Sequence, residues 1–271
     1  MDRKSIFIVF SICFSLIGCT QDTSVDIPIY PTRAISKIVE IEDEFNHHMV
    51  LIPSGVFYSR DMKWSYLNKF YVDKYEVTIG QYLFFLDSID YNPNNSEVWF
   101  DPEIPGYKVS IIFDESSGNW IVDEDSKDFP IVGVTWFGAQ AYCEWRGGDL
   151  PSVDQFVKAS RGIDRRPYPW GYDQPNCEKI GVGDCTGDWF HKIGQFPTGA
   201  SPYGVMDVLS NTDEWTRDSW NNVTGDSLEP SRMFVWPGSV FIEEYPIIGV
   251  GFPKISSESA YYIGFRCVVE P

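Results

Sequence analysis

The chain has 271 residues, 43% hydrophobic and 16% aromatic, enough for one sizeable domain with a packed core and too apolar for a disordered polymer. Lys and Arg number 21 against 39 Asp and Glu, so the net charge is -18, a field that repels phosphate backbones and excludes nucleic acid as a partner. With three His, two of them adjacent as His47 and His48, chemistry that needs a cluster of imidazoles has little to draw on.

The N-terminus carries Arg3 and Lys4 ahead of an apolar run from Ser5 to Gly18. Such a run has the length of a signal-peptide core and falls short of the about 20 residues a membrane span needs. It ends in Leu16-Ile17-Gly18-Cys19, which resembles the bacterial lipobox, where the signal is cut before the Cys and that Cys receives lipid. This reading makes 1–18 a signal peptide, Cys19 the lipidation site and the bacterial cell envelope, at the outer membrane, the location. A plain signal peptide with a fortuitous Cys is the other reading. Residues 19–46 are polar, with Pro28, Pro31 and the acidic run Glu40 to Glu44, and read as a tether; 47–271 is then the globular domain. Export leaves Cys143, Cys177, Cys185 and Cys267 in an oxidising compartment, an even set that arithmetic alone can pair in three ways.

Within the domain, Met49 to Tyr58 and Phe70 to Val77 read as strands. Thr78 then offers a helix cap, with Gln81 three residues on as a capping box, and Tyr82, Phe85, Leu86 and Ile89 recur on one helical face. Tyr107 to Phe113 and Trp120 to Val122, joined by Asp114 to Asn119, predict a hairpin. Trp136 to Trp145 predicts a helix with Cys143 on its buried face, ended by Gly147 and Gly148. Ser152 and Gln155 form a second capping box, opening a helix that turns Val153, Phe156, Val157 and Ser160 inward and closes at Gly162. From Pro167 to Trp236 the chain is aromatic and turn-rich with little periodicity; Ile263 to Val269 predicts the last strand.

Ten short segments recur in one order: Met49 to Gly55, Tyr75 to Thr78, Pro130 to Trp136, Ala141 to Trp145, Leu150 to Ser152, Ser160 to Gly162, Tyr168 to Gly171, Tyr203 to Val208, Glu214 to Asp218 and Gly264 to Cys267. Together they resemble the formylglycine-generating enzyme, or sulfatase-modifying factor, family. The resemblance implies an α+β, C-type-lectin-like, loop-rich single domain. It also implies a disulfide between Cys143 and Cys267. Cys177 and Cys185, close in sequence, make a local bridge the economical second pairing, with a redox or metal pair helped by His191 as the alternative.

Enzymes of that family hold Cu(I) through two thiolates after a Gly-Gly-Ser-Trp-like segment, matched here by Trp236 to Phe241. From there to Gly264 the sequence contains no Cys, so copper and oxidase activity are not expected. The resemblance carries over a Ca2+ site by position to a side-chain oxygen of Asp207, the backbone carbonyls of Ser210 and Thr212 and the carboxylate of Glu214, against the plainer reading of a solvated acidic turn. No serine-hydrolase elbow or phosphate loop occurs. Trp170, Trp189 and Trp220 are candidates for sugar stacking. The reading is thus a lipid-anchored, catalytically silent binding or scaffolding domain whose partner is an envelope protein or glycan. A sulfatase-modifying or related oxidase and a carbohydrate-binding lectin-like module are the alternatives.

Overall fold

The computed structural model describes residues 38–45, 47–94, 98–103, 109–181, 190–225, 232–238 and 251–271. Cys19, Cys185 and Trp189 lie outside the described residues, as do the expected signal and most of the expected tether.

Strand β1 (Glu40–Glu42) pairs antiparallel with β2 (His48–Ile52). Folded structure therefore begins ahead of the expected boundary at 47, because the acidic run assigned to the tether supplies a strand. β2 pairs with β5 (Phe70–Asp73), placing Val50 opposite Val72 and Ile52 opposite Phe70. The two-residue period turns these four side chains to one face, where all are buried. The strand expected over 49–58 is interrupted at Pro53, which has no N–H to give a ladder. Its second half, β3 (Gly55–Tyr58), leaves the sheet to form a hairpin with β4 (Trp64–Leu67).

Helix α1 (Ile79–Ser88) has the expected cap: Thr78 Oγ1 accepts from the Gln81 amide at 3.3 Å, and Gln81 Oε1 accepts from the Thr78 amide at 2.9 Å. Tyr82, Phe85 and Leu86 are buried, whereas Ile89 falls on the C-cap and is half exposed. β6 (Ile112–Asp114) and β7 (Asn119–Ile121) form the expected hairpin with Phe113 opposite Trp120. Helix α2 (Trp136–Trp145) buries Cys143, and α3 (Val153–Arg161) carries the Ser152 and Gln155 capping box. α3 stops at Gly162, whose φ of 80° suits a residue without a Cβ.

A second sheet, in the order β10-β9-β8-β11, is built from β8 (Asp213–Ser219), β9 (Arg232–Trp236), β10 (Phe252–Ile255) and β11 (Ile263–Gly264). Helix α4 (Trp220–Thr224) sits between β8 and β9 in sequence. The expected strand Ile263 to Val269 is two strands. β11 runs parallel to β8, and β12 (Val268–Val269) joins β5 in the first sheet. Residues 265–267 cross between the sheets, and Cys267 there is bonded to Cys143 of α2 with the Cα atoms 5.5 Å apart. One core packs Tyr82, Phe85, Tyr142 and Phe265; a second packs Val50, Phe70, Phe156 and Trp236. The result is a loop-rich α+β single domain, as the sequence implied.

Candidate functional site

The crossing segment delivers Arg266 into the interior. Because β8 and β11 pair in parallel with Glu214 opposite Gly264, Arg266 arrives beside Glu214. Its Nε and Nη2 donate to the two Glu214 carboxylate oxygens, each at 2.7 Å, and its Nη1 donates to the carbonyls of Asp73, Lys74 and Met206. Arg266 and Glu214 are both 1% exposed or less, so this fork is fully removed from water.

The strand expected to run to Val77 ends at Asp73, and Glu76, in the connection between β5 and α1, meets the turn before β8. Glu76 Oε1 accepts from the Thr212 amide at 3.1 Å and the Thr212 hydroxyl at 2.9 Å, while Oε2 accepts from Asn211 Nδ2 at 2.8 Å. The turn is made by Asp207 and Asn211 at φ 60° and 70°, a left-handed conformation that short polar side chains tolerate. Asp207 Oδ2 accepts from the Gly194 amide at 2.7 Å. Burial pushes the Glu76 carboxyl well above its ordinary value, and the charges of Asp207 and Glu214 add to that. Burial likewise pushes Asp207 up to about 6, against the Gly194 amide and Arg266, and raises Glu214 despite Arg266.

These contacts decide how Ca2+ would fit. The four expected ligands lie in the turn and at the start of β8, but both oxygens of Glu214 are taken by the Arg266 guanidinium. The Thr212 carbonyl is packed against Gly238, where a Cβ would stand 2.1 Å from it. Ser210 contributes its amide to the Asp207 carbonyl at 3.2 Å. A hard cation wants six to eight converging oxygens. With Glu214 forked onto Arg266 and the Thr212 carbonyl packed against Gly238, two of the four expected ligands are turned to other partners, a poor match to that requirement. Copper finds no thiolate between Trp236 and Gly264 in the sequence, and residues 239–250 lie outside the described ones.

A second buried array lies alongside. Arg146, at the end of α2, is forked onto Asp73 at 2.8 and 3.0 Å and donates to Asp43 at 2.6 Å. Asp43 also holds His47 Nδ1 at 3.0 Å, and His47 Nε2 lies 2.6 Å from the Tyr142 hydroxyl. Burial and the Arg146 charge hold the His47 imidazole below its ordinary value, against the pull of Asp73 and Asp43. Asp73 Oδ2 also accepts from the Cys267 amide at 2.9 Å, joining this array to the disulfide. Both arrays border a cavity of about 460 Å³ with His47, Asp73, Tyr75, Glu76, Gln81 and Lys127 on its walls.

Of the other expected site residues, Cys177 is disulfide-bonded, and its expected partner Cys185 lies outside the described residues. His191 packs edge-on against Phe196, and its amide donates to Asn211. Trp170 stacks on Tyr168 at 5.2 Å and donates to the Asp173 carbonyl, while Trp220 stacks on Phe234 at 5.5 Å. Nothing local in the sequence marks Glu76, Arg146 or Asn211 for a role. The signal available for Arg266 was a lone charge inside an apolar strand pattern.

The chain matches the Sulfatase-modifying factor enzyme 1-like domain over residues 36–271. It is 38% identical over 110 residues to the inactive C-alpha-formylglycine-generating enzyme 2 of Bos taurus, covering 36% of this chain and 36% of that protein. It is 26% identical over 292 residues to the uncharacterized protein YfmG of Bacillus subtilis, covering 86% of this chain and 56% of that one. The chain thus spans about a third to a half of the length of these relatives. The solved structure of PvdO from Pseudomonas aeruginosa shares the fold, with a TM-score of 0.60 at 18% identity over 86% of this chain and 98% of that one. The chain belongs to the sulfatase-modifying factor enzyme 1-like family.

Proposed function

We propose that this chain is a catalytically silent member of its family, acting as a binding or scaffolding module at the bacterial envelope and held there by lipid on Cys19. The observation that carries the silent reading is in the sequence: no Cys occurs from Trp236 to Gly264, so no pair of thiolates can hold Cu(I) there. Its buried carboxylates support the same reading. Glu76 and Glu214 bond to neighbouring side chains through both carboxylate oxygens, which serves the fold rather than a reacting substrate. A relative named as an inactive formylglycine-generating enzyme is consistent with a family domain kept without its chemistry. Incubating the full chain with Cu(I), oxygen and a sulfatase-motif peptide should give no aldehyde by mass spectrometry; copper-dependent aldehyde would establish the oxidase alternative instead. The anchor is tested separately. Cys19→Ser should leave the signal uncut or release the protein from membranes, and firm attachment of a processed Cys19→Ser product would reject it.

A further inference from the structure

The outward face of the β3–β4 hairpin is aromatic. Tyr58 lies opposite Trp64 and Val56 opposite Tyr66, so these four side chains share one face, while Phe57 between them is buried on the other. Trp64 is 39% and Tyr66 62% exposed. From the loop after α3, Arg165 lays its guanidinium 4.2 Å from the Tyr58 ring centre and 5.7 Å from that of Trp64. The Tyr58 and Trp64 rings meet edge-on at 5.4 Å.

Arg165 differs from the arginines beside it. Arg166 is forked onto Asp164, at 2.7 Å on each carboxylate oxygen. Arg161, half-buried, feels the opposing charge of Asp164. Arg165 is exposed and, among the described residues, has no carboxylate within ion-pair distance. A guanidinium resting on a ring keeps N–H donors that can pair with a carboxylate as a planar fork. The exposed rings around it offer flat apolar platforms. The net charge of -18 repels a polyanion, so the complementary ligand carries few charges and a C–H-rich face.

We propose that this face binds a carboxylated saccharide of the uronic-acid type, with the carboxylate on the Arg165 fork and a sugar ring face on Trp64 or Tyr66. The proposal rests on the binding-module reading and names its ligand class and surface. The test is titration of the full chain with galacturonic acid trisaccharide, read by calorimetry and Trp fluorescence, beside a neutral galactose trisaccharide and an Asp/Glu hexapeptide. The acidic sugar should bind, with weakening in about 0.5 M salt. Arg165→Gln, Arg165→Lys and Trp64→Ala should each weaken it by about tenfold or more without lowering the melting temperature. Arg217→Gln, at a distant exposed ion pair with Asp149, should leave binding unchanged. No binding, equal binding of the neutral sugar, tighter binding of the peptide, or indifference to Arg165→Gln each overturns the proposal. The aldehyde assay reads the parent interpretation independently: failed sugar binding without aldehyde rejects this surface alone, whereas aldehyde formation rejects the silent-module reading itself.

Discussion

Arg266 and Glu214, 52 residues apart in sequence, lie fork to fork with two 2.7 Å hydrogen bonds in the interior of the domain. A pair removed from water in this way adds little net stability over an apolar pair of equal volume, but breaking it strands a charge. Arg266→Met should therefore destabilise the domain by about 3–5 kcal/mol in urea denaturation, and Arg266→Met with Glu214→Gln should recover much of the loss. If Arg266 supplies the positive charge of this centre, chelation with EDTA leaves the wild-type melting temperature unchanged. A fall on chelation that Ca2+ restores would return the turn at Asp207 to Glu214 to a cation-binding role.

Asp207 gives the same centre a pH dependence. Its folded value is pushed up to about 6 from 3.8, so between these values the native state holds a proton that the unfolded chain has released. Stability from this group is complete below about 4 and is lost as pH rises through about 6, by up to about 3 kcal/mol. The difference in unfolding free energy between wild type and Asp207→Asn should therefore change steadily across pH 4 to 7; a flat difference would show that the Gly194 amide and Arg266 fully offset burial.

Lys158 acts in the opposite range. It is 0% exposed, with its ammonium donating to the carbonyls of Pro53 at 2.7 Å and Gly55 at 3.1 Å, and burial lowers it from 10.5 to about 8. Between those values the unfolded chain carries a proton that the native state has shed, so stability rises with pH from about 8 to 10.5. Lys158→Met should abolish that rise, which denaturation in a buffer series from pH 7 to 10.5 would read.

The Cys143–Cys267 bridge closes a loop with a sequence separation of 124. Chain entropy assigns such a closure about 5 kcal/mol at most. Cys143→Ala with Cys267→Ala should lower stability by a large part of that figure. Non-reducing peptide mapping of the wild type should yield this pair as one linked fragment and Cys177 with Cys185 as the other.

Local rules were readable in the sequence where the whole signal sits within one turn. Thr78 with Gln81 and Ser152 with Gln155 announce two helix starts, and both capping boxes form. The strands β4, β8, β9 and β10 were not readable, for different physical reasons. β4 shows its aromatic residues to solvent, so it lacks an inward apolar alternation. β8 buries Asp213, Glu214 and Thr216, whose polarity looks like a loop until the partners are known. Those partners are far away: Arg266 for Glu214, Gly238 for Asp213 and the Phe234 carbonyl for Thr216. The same distance hid the role of Glu76, which meets Asn211 and Thr212 at separations of 135 and 136 residues. Sequence shows which residues carry charge; the fold decides which of them neutralise one another.

The last nine residues enter both sheets: Ile263 and Gly264 complete one, and Val268 and Val269 the other, with Arg266 and Cys267 seated between. Their strand pairings and the disulfide reach back to residues laid down much earlier, such as Asp213, Val72 and Cys143. Such closures must wait until the intervening chain is available, so neither core can reach its final packing before residues 263–269 have been made. The C-terminal strand pair thus sets the moment of folding as well as the shape that results.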